Sequence, residues 1–361
     1  MGAFMTTLNR LFKHSAVAAA VFSFSTLASA SVVSSIKPLG FIASSIADGV
    51  TDTQVLVPAG ASPHDYNLKP SDVQKLKSAD LVLWVGEDAD AFLASSLQKN
   101  VDASKVVTIA KLAGITPDML AKGEHHHHDH HHDHDHHHHD GEDHDHDHEH
   151  HHDHGKSEAH EHHHDHGKSE AHEHQHNHGT DDAHDHDHDE LETNWHVWYS
   201  PRISQVVAEA VADKLTQQFP AKKALIEKNL AEFNRTLNAQ NEKIKQQLVP
   251  VQKKGFYVFH DAYTYFNEAY GLNQVGAFTI NPLVAPGAKK LAHIKEEIEE
   301  HKVGCLFAEP QFTPKVIETL HKSTGVKVGR LDPMGDAVAL GKDSYANFLQ
   351  YTADSYYNCL K

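Results

Sequence analysis

Short apolar runs alternate with helix-spaced stretches through most of the chain. Val32–Ile36, Gln54–Val57, Leu81–Val85 and Val106–Ile109 read as strands, with helices at Phe41–Ile46 and Ser71–Lys77 between the earlier ones. This alternation predicts a parallel α/β sheet. Leu81-Val82-Leu83-Trp84-Val85 is apolar throughout, as a strand covered on both faces would be. Ile203–Phe219 then reads as a helix ended by Pro220. Ala221–Leu248 follows as a second, with Leu230, Phe233, Leu237, Ile244 and Leu248 on one stripe and Pro250 at its stop. At about 1.5 Å per residue that helix spans roughly 42 Å, enough to cross a whole lobe. A second α/β pattern has strands at Phe256–Phe259, Gln274–Phe278, Cys305–Ala308 and Val326–Leu331, and helices at Pro286–His301, Thr313–Thr324 and Tyr345–Leu360. The expected architecture is two α/β lobes with parallel sheets, residues 31–220 and 250–361, joined by one long rigid helix over 221–249.

Two segments do not fit this pattern. Arg10 and Lys13 precede an apolar run from Ala16 to Leu27 and the small residues Ala28-Ser29-Ala30, which predicts a secretory signal peptide over 1–30 and a mature chain from Ser31. The expected compartment is the periplasm. No Cys follows the cleavage site to carry a lipid, and no later stretch reaches the roughly 20 apolar residues a bilayer span needs, so no membrane anchor is expected. The second segment, 123–191, is almost wholly His, Asp and Glu. It cannot bury a core and is expected to be disordered within the first lobe. His150–Glu161 and His162–Glu173 both spell HHHDHGKSEAHE, a duplication with nothing apolar to stack between copies.

Charge is concentrated in this insert. Of the 38 His in the chain, 31 lie between Glu124 and Glu190, together with 22 acidic residues and the two bases Lys156 and Lys168. The insert carries a formal charge of −20 against −18 for the whole chain, which leaves the rest at +2. The folded parts therefore have no basic excess that would suggest nucleic acid or an anionic membrane. The two cysteines, Cys305 and Cys359, lie in an exported chain without CxxC spacing, and a disulfide tying the C-terminal helix to a strand is expected.

Outside the signal and the insert only His64, His196, His260, His293, His301 and His321 remain. His64 follows the strand Gln54–Val57, His196 is flanked by Trp195 and Trp198, and His260 ends the strand Phe256–Phe259. Loops at the carboxyl ends of parallel strands are where α/β folds bind ligands. The other three fall on polar helix faces or near helix ends, where a solvated role suits them. Taken singly, each of the first three could be a hydrogen-bonded structural residue. Together, three neutral imidazoles with a water or a carboxylate make a Zn²⁺ site, whereas Mn²⁺ would favour more carboxylate.

Four segments carry a family resemblance: Gly60-Ala61-Ser62-Pro63-His64-Asp65-Tyr66, Trp195-His196-Val197-Trp198-Tyr199-Ser200-Pro201, Val258-Phe259-His260-Asp261-Ala262-Tyr263 and Phe307-Ala308-Glu309-Pro310-Gln311-Phe312. They resemble the signature segments of the ZnuA family, the periplasmic zinc-binding components of zinc ABC importers. The resemblance runs from about Ser31 to Lys361. It implies two pseudo-symmetric lobes bridged by a long helix, with Zn²⁺ in the inter-lobe cleft held by His64, His196 and His260. Related manganese receptors place Glu where His260 stands and use an Asp matching Asp332. Here Asp332 is either a fourth ligand or a capping or supporting residue, with water then filling the position. Some zinc members carry Glu before the first His, where this chain has Pro63. Glu309 is read either as a structural hydrogen-bonding residue or as a support for a metal-bound His. Asp65 and Asp261 either orient an imidazole or cap the next helix.

The function this implies is capture of Zn²⁺ in the periplasm and delivery to an inner-membrane ABC permease with its cytoplasmic ATPase. The chain itself has no spanning segment and no GxxxxGK[ST] loop. A monomer is expected. A zinc hydrolase is disfavoured, since HExxH is missing and no general base is marked beyond Asp65 and Asp261; no enzyme activity is expected. A periplasmic zinc buffer or a metal-dependent adhesin not coupled to an importer is the alternative. For the insert, zinc collection, storage or sensing stands against a neutral solvated linker.

Overall fold

The computed structural model describes residues 31–123, 193–279, 281–312 and 315–361; the expected signal peptide, and the expected insert beyond residue 123, lie outside them. The first half begins with β1 (Ser31–Ser34), α1 (Lys37–Ile46), β2 (Asp52–Val55), α2 (Pro70–Ser78), β3 (Leu81–Trp84), α3 (Ala91–Asn100) and β4 (Val106–Thr108). After the insert come α4 (Pro201–Gln218) and α5 (Lys223–Leu248). The second half holds β5 (Gly255–His260), α6 (Thr264–Tyr270), β6 (Asn273–Thr279), α7 (Ala288–Glu299), β7 (Cys305–Ala308), α8 (Lys315–Thr324), β8 (Lys327–Arg330) and α9 (Ser344–Leu360).

The strands form two four-stranded sheets, ordered β2-β1-β3-β4 and β6-β5-β7-β8, and every neighbouring pair is parallel. Counted within its own half, each sheet has the same strand order. Side chains alternate between faces along a strand, and the burial follows that alternation. Val33, Val82 and Trp84 on one face of the first sheet meet Leu76 of α2 and Leu93 and Leu97 of α3. Tyr257, Phe259 and Leu306 of the second sheet meet Ile294 and Ile298 of α7 and Ile317 and Leu320 of α8. The opposite faces, with Val32, Leu81, Phe256, Val258 and Phe307, share one core with α1, α4, α5 and α9.

Two long helices tie the halves together. α5 buries Ile226, Phe233, Leu237, Ile244 and Leu248 on one stripe and packs against α1, α4, α6 and α9. At about 1.5 Å per residue its 26 residues reach roughly 39 Å. The second tie, α9, also packs on α1, α5 and β8. The backbone comes close enough at Gly255 that a Cβ there would lie 1.9 Å from the Lys302 carbonyl oxygen. Only glycine fits that start of β5.

Several expected boundaries shift for identifiable reasons. β1 stops at Ser34 and α1 begins at Lys37, because Pro38 suits the first helical turn. α4 ends at Gln218, and a separate 3₁₀ turn, Pro220–Lys222, precedes α5. Two helices, α3 and α6, were not expected: α3 buries only Leu93 and Leu97, and α6 is a seven-residue element. No described helix is long and apolar enough to cross a membrane.

Candidate metal centre

His260 is the last residue of β5, and Glu309 directly follows β7, the parallel neighbour of β5. Both therefore emerge at the carboxyl end of the second sheet. His260 Nδ1 lies 2.8 Å from the Glu309 carboxylate, and Tyr263 Oη donates to Glu309 Oε1 at 3.1 Å. All three residues are buried. A carboxylate only accepts, so the proton of His260 sits on Nδ1 and the lone pair of Nε2 faces the cleft.

His196 precedes the buried 3₁₀ turn Val197–Tyr199, whose Trp198 Nε1 donates to the Pro333 carbonyl at 3.1 Å. Asn194 Oδ1 accepts from the His196 backbone N–H at 3.0 Å and lies 2.7 Å from His196 Nδ1. The Asn194 amide nitrogen is committed to Asp261, donating to its backbone oxygen at 2.9 Å and to Oδ2 at 3.2 Å. The amide is thus fixed with its oxygen toward the imidazole, and His196 too presents an Nε2 lone pair.

The two Nε2 atoms stand 3.3 Å apart. Two Zn–N bonds of about 2.0–2.1 Å at the tetrahedral angle put their nitrogens roughly 3.3–3.4 Å apart. The pair already has the spacing of a zinc site. Its lone pairs repel unless a cation lies between them. The His196 ring does not supply a proton there, because burial above all pushes its pKa well below its ordinary value.

His64 lies in the 3₁₀ turn Pro63–Asp65, with Ser62 Oγ accepting from its backbone N–H at 3.2 Å. One ligand atom from each of His64, His196 and His260 can be chosen so that all lie within 4.8 Å of one another. The His64 ring centroid stands 5.8 Å from that of His196 and 5.6 Å from that of His260, against 5.1 Å between the latter two. Burial of the ring, and then the charge of His260, lower its pKa to about 4. The residue as a whole is exposed, unlike His260. Trp198, Phe312, Pro333 and Met334 wall the cavity.

Asp332 is buried, and both its carboxylate oxygens are engaged. Oδ1 accepts from Gln311 Nε2 at 2.8 Å and from the Met334 N–H at 3.0 Å, and Oδ2 from the Asp336 N–H at 2.7 Å. The one His/Cys/Asp/Glu cluster with metal-binding spacing among the described residues contains the three imidazoles and not Asp332. Asp261 departs from the helix-cap reading: α6 has Tyr263 at its N-cap with no side-chain bond. Its carboxylate instead binds Asn194, Thr264 and Gln274. Ser62 rather than Asp65 caps the turn around His64. Of the remaining histidines, His293 is exposed and lies 3.7 Å from Glu297, His301 is exposed, and His321 Nδ1 sits 2.7 Å from the Val326 carbonyl. Sequence reasoning missed Asn194, although an Asn two residues before a candidate ligand can turn its side chain onto that residue's N–H.

The sequence profile of the family described as "Zinc-uptake complex component A periplasmic" matches residues 32–359. The chain is 68% identical over 353 residues to a Haemophilus influenzae protein named "High-affinity zinc uptake system protein ZnuA", covering 98% of this chain and 99% of that one. A Haemophilus ducreyi protein of the same name is 50% identical over 352 residues, covering 97% of this chain and 99% of its own. Among solved structures, one titled "Crystal structure of ZnuA" superposes with a TM-score of 0.65 at 21% identity, over 92% of this chain and all of that one. That likeness shows the shared fold.

Proposed function

The chain belongs to the ZnuA family, the periplasmic zinc receptors of ABC importers, and from that premise we propose that His64, His196 and His260 are the residues that hold its Zn²⁺. The observation that carries this is the pair of Nε2 lone pairs 3.3 Å apart, each fixed by a partner on its Nδ1. Neutral imidazoles are the form zinc binds. Burial, the largest cause in both cases, keeps His196 and His64 in that form.

As the receptor of such an importer, the chain works with a separate permease and ATPase. We assign the permease to the inner membrane and the receptor to a monomer. Nothing in the site marks a catalytic base: the two carboxylates closest to the imidazole ring contacts, Glu309 and Asp261, are bound to Tyr263 and His260 and to Asn194, Thr264 and Gln274. The chain is therefore read as a receptor and not an enzyme. We divide it into lobes 31–220 and 250–361 about the helix 221–249. A buffer or adhesin would keep zinc without needing the importer, so zinc-limited growth of a strain lacking this chain, with permease and ATPase present, separates the readings.

The ligand assignment is tested by competition with a chromophoric chelator. His260→Ala should weaken zinc by orders of magnitude, while His293→Ala on the exposed face of α7 should leave it unchanged. Equal affinities would remove His260 from the site.

A further inference from the structure

The cavity bounded by the three imidazoles is also lined by Gln311. The orientation of this amide is settled by its nitrogen. Nε2 donates to Asp332 Oδ1 at 2.8 Å and to Asp336 Oδ2 at 3.3 Å, and both partners are carboxylates, which an amide oxygen could not approach. Gln311 Oε1 therefore points away from them. It is buried and has no hydrogen-bond partner among the described residues. A buried amide oxygen left without a donor loses its hydration with nothing in return. Gln311 is a lining residue of the cavity, so this unpartnered oxygen is a candidate acceptor for a ligand group bound there.

Three imidazoles leave one position of a tetrahedral zinc open. The carboxylate that could have filled it, Asp332, is occupied by Gln311, Met334 and Asp336. The residue before His64 is Pro63, which offers no ligand side chain. We propose that Gln311 Oε1 accepts a hydrogen bond from the water that fills the fourth position of the bound zinc. This rests on the three imidazoles being the ligands.

The support behind Gln311 fits this role. Asp336 Oδ2 also accepts from the Gly60 N–H at 2.7 Å, so the carboxylate that holds the amide also holds the loop carrying His64. Gly335 beside it adopts φ +63°, and a Cβ there would lie 2.7 Å from Phe348 and 2.8 Å from Phe41. The loop is thus packed down on both halves of the molecule. A neutral acceptor also suits zinc selectivity. It keeps a water in place without adding an anionic oxygen, the donor that harder ions such as Mn²⁺ prefer.

The test uses the full mature chain loaded with Co²⁺, whose visible bands report the geometry and ligands of the site. Gln311→Leu should shift those bands and weaken Zn²⁺ and Co²⁺ binding by about tenfold or more, the usual effect of removing a group that supports a metal's own ligands. Weaker binding with unchanged bands would make Gln311 a loop-holding residue only, and binding within about twofold of the unaltered protein would also overturn the proposal. A zinc-loaded crystal structure of the unaltered protein decides the matter independently of how the variant folds. An oxygen ligand within about 3.5 Å of Oε1 is expected. Oε1 bonded directly to the ion, or no ligand within its reach, would refute the water contact. Should His260→Ala leave tight zinc binding intact, the ligand assignment itself fails; a failure confined to Gln311 leaves that assignment standing.

Discussion

Cys305 and Cys359 form a disulfide between β7 and the last turn of α9, with their Cα atoms 6.1 Å apart and a separation of 54 in sequence. Breaking it with Cys305→Ala/Cys359→Ala frees the unfolded chain. On the chain-entropy account, a loop of about 55 residues corresponds to about 4 kcal/mol at 25 °C. The paired alanines isolate the bond well, because both keep their Cβ atoms. That matters at 359, where the Cβ packs so close to β8 that a Cβ added to Gly329 would lie 2.9 Å from it. Stabilities of domains run at about 5–15 kcal/mol, so the loss should be a large fraction of the total. Urea unfolding should be followed by far-UV circular dichroism in excess chelator, since bound zinc would add its own stabilisation. The midpoint should fall, and the slope m should rise because the untied unfolded chain exposes more surface. An unchanged midpoint and slope would refute the reasoning and show that packing of α9 alone restrains this segment.

Other outcomes follow from the same geometry. Asn194→Ala removes the acceptor on His196 Nδ1 and should weaken zinc about 10–100-fold by chelator competition, whereas His321→Ala, distant in role and exposed, should not. Deleting 124–190 should leave the tight site intact, because Lys122 and Thr193 pair as an antiparallel bridge and bring the cut ends together. Calorimetry should then show the tight step in both proteins and a weak phase in the full-length chain alone, fading as pH falls through about 6.5. Asp90 is buried, and burial raises its pKa to about 6 against the opposing bonds from Val85 and Ser35. A carboxyl raised in the folded state stabilises at low pH and loses that contribution as pH rises from about 3.8 to 6, by about 3 kcal/mol. Asp90→Asn should flatten the urea midpoint over that window, and a variant that keeps the full pH dependence would contradict the assignment.

The three imidazoles were legible in the sequence because each sits beside a local signal: a strand end for His260, a strand followed by Ser-Pro for His64, and flanking tryptophans for His196. Their supports were harder to see. The contact between His260 and Glu309 spans 49 residues and exists because β5 and β7 are neighbours. Strand order is not written in hydrophobic periodicity. Gln311 was equally hidden, since its unpaired oxygen matters only once Asp332 and Asp336 are seen to hold its nitrogen. The two sheets could be read because their short apolar runs recur between helical stretches, and α5 because its buried stripe is long, while α3 buries only Leu93 and Leu97 and α6 is too short, at seven residues, to show a period.

These supports divide the site into two parts of unequal rigidity. Asp261 follows His260 in the chain and bonds Asn194, which holds His196. Glu309 and Tyr263 hold His260 from the other side. His196 and His260 are thus joined through one short network and keep their spacing of 3.3 Å as a unit. His64 belongs to a different loop, tied down by the bond from the Gly60 N–H to Asp336. Its ring is the farther from the other two and the more exposed. Moving the 196–260 pair apart would break the two buried bonds from Asn194 to Asp261, one of them to a carboxylate oxygen and so worth more than a neutral one. Moving His64 away would cost the Gly60 tie and the third zinc bond. With His64 as the third ligand proposed above, its loop is held by fewer of these bonds and is the part of the site predicted to yield first when zinc leaves.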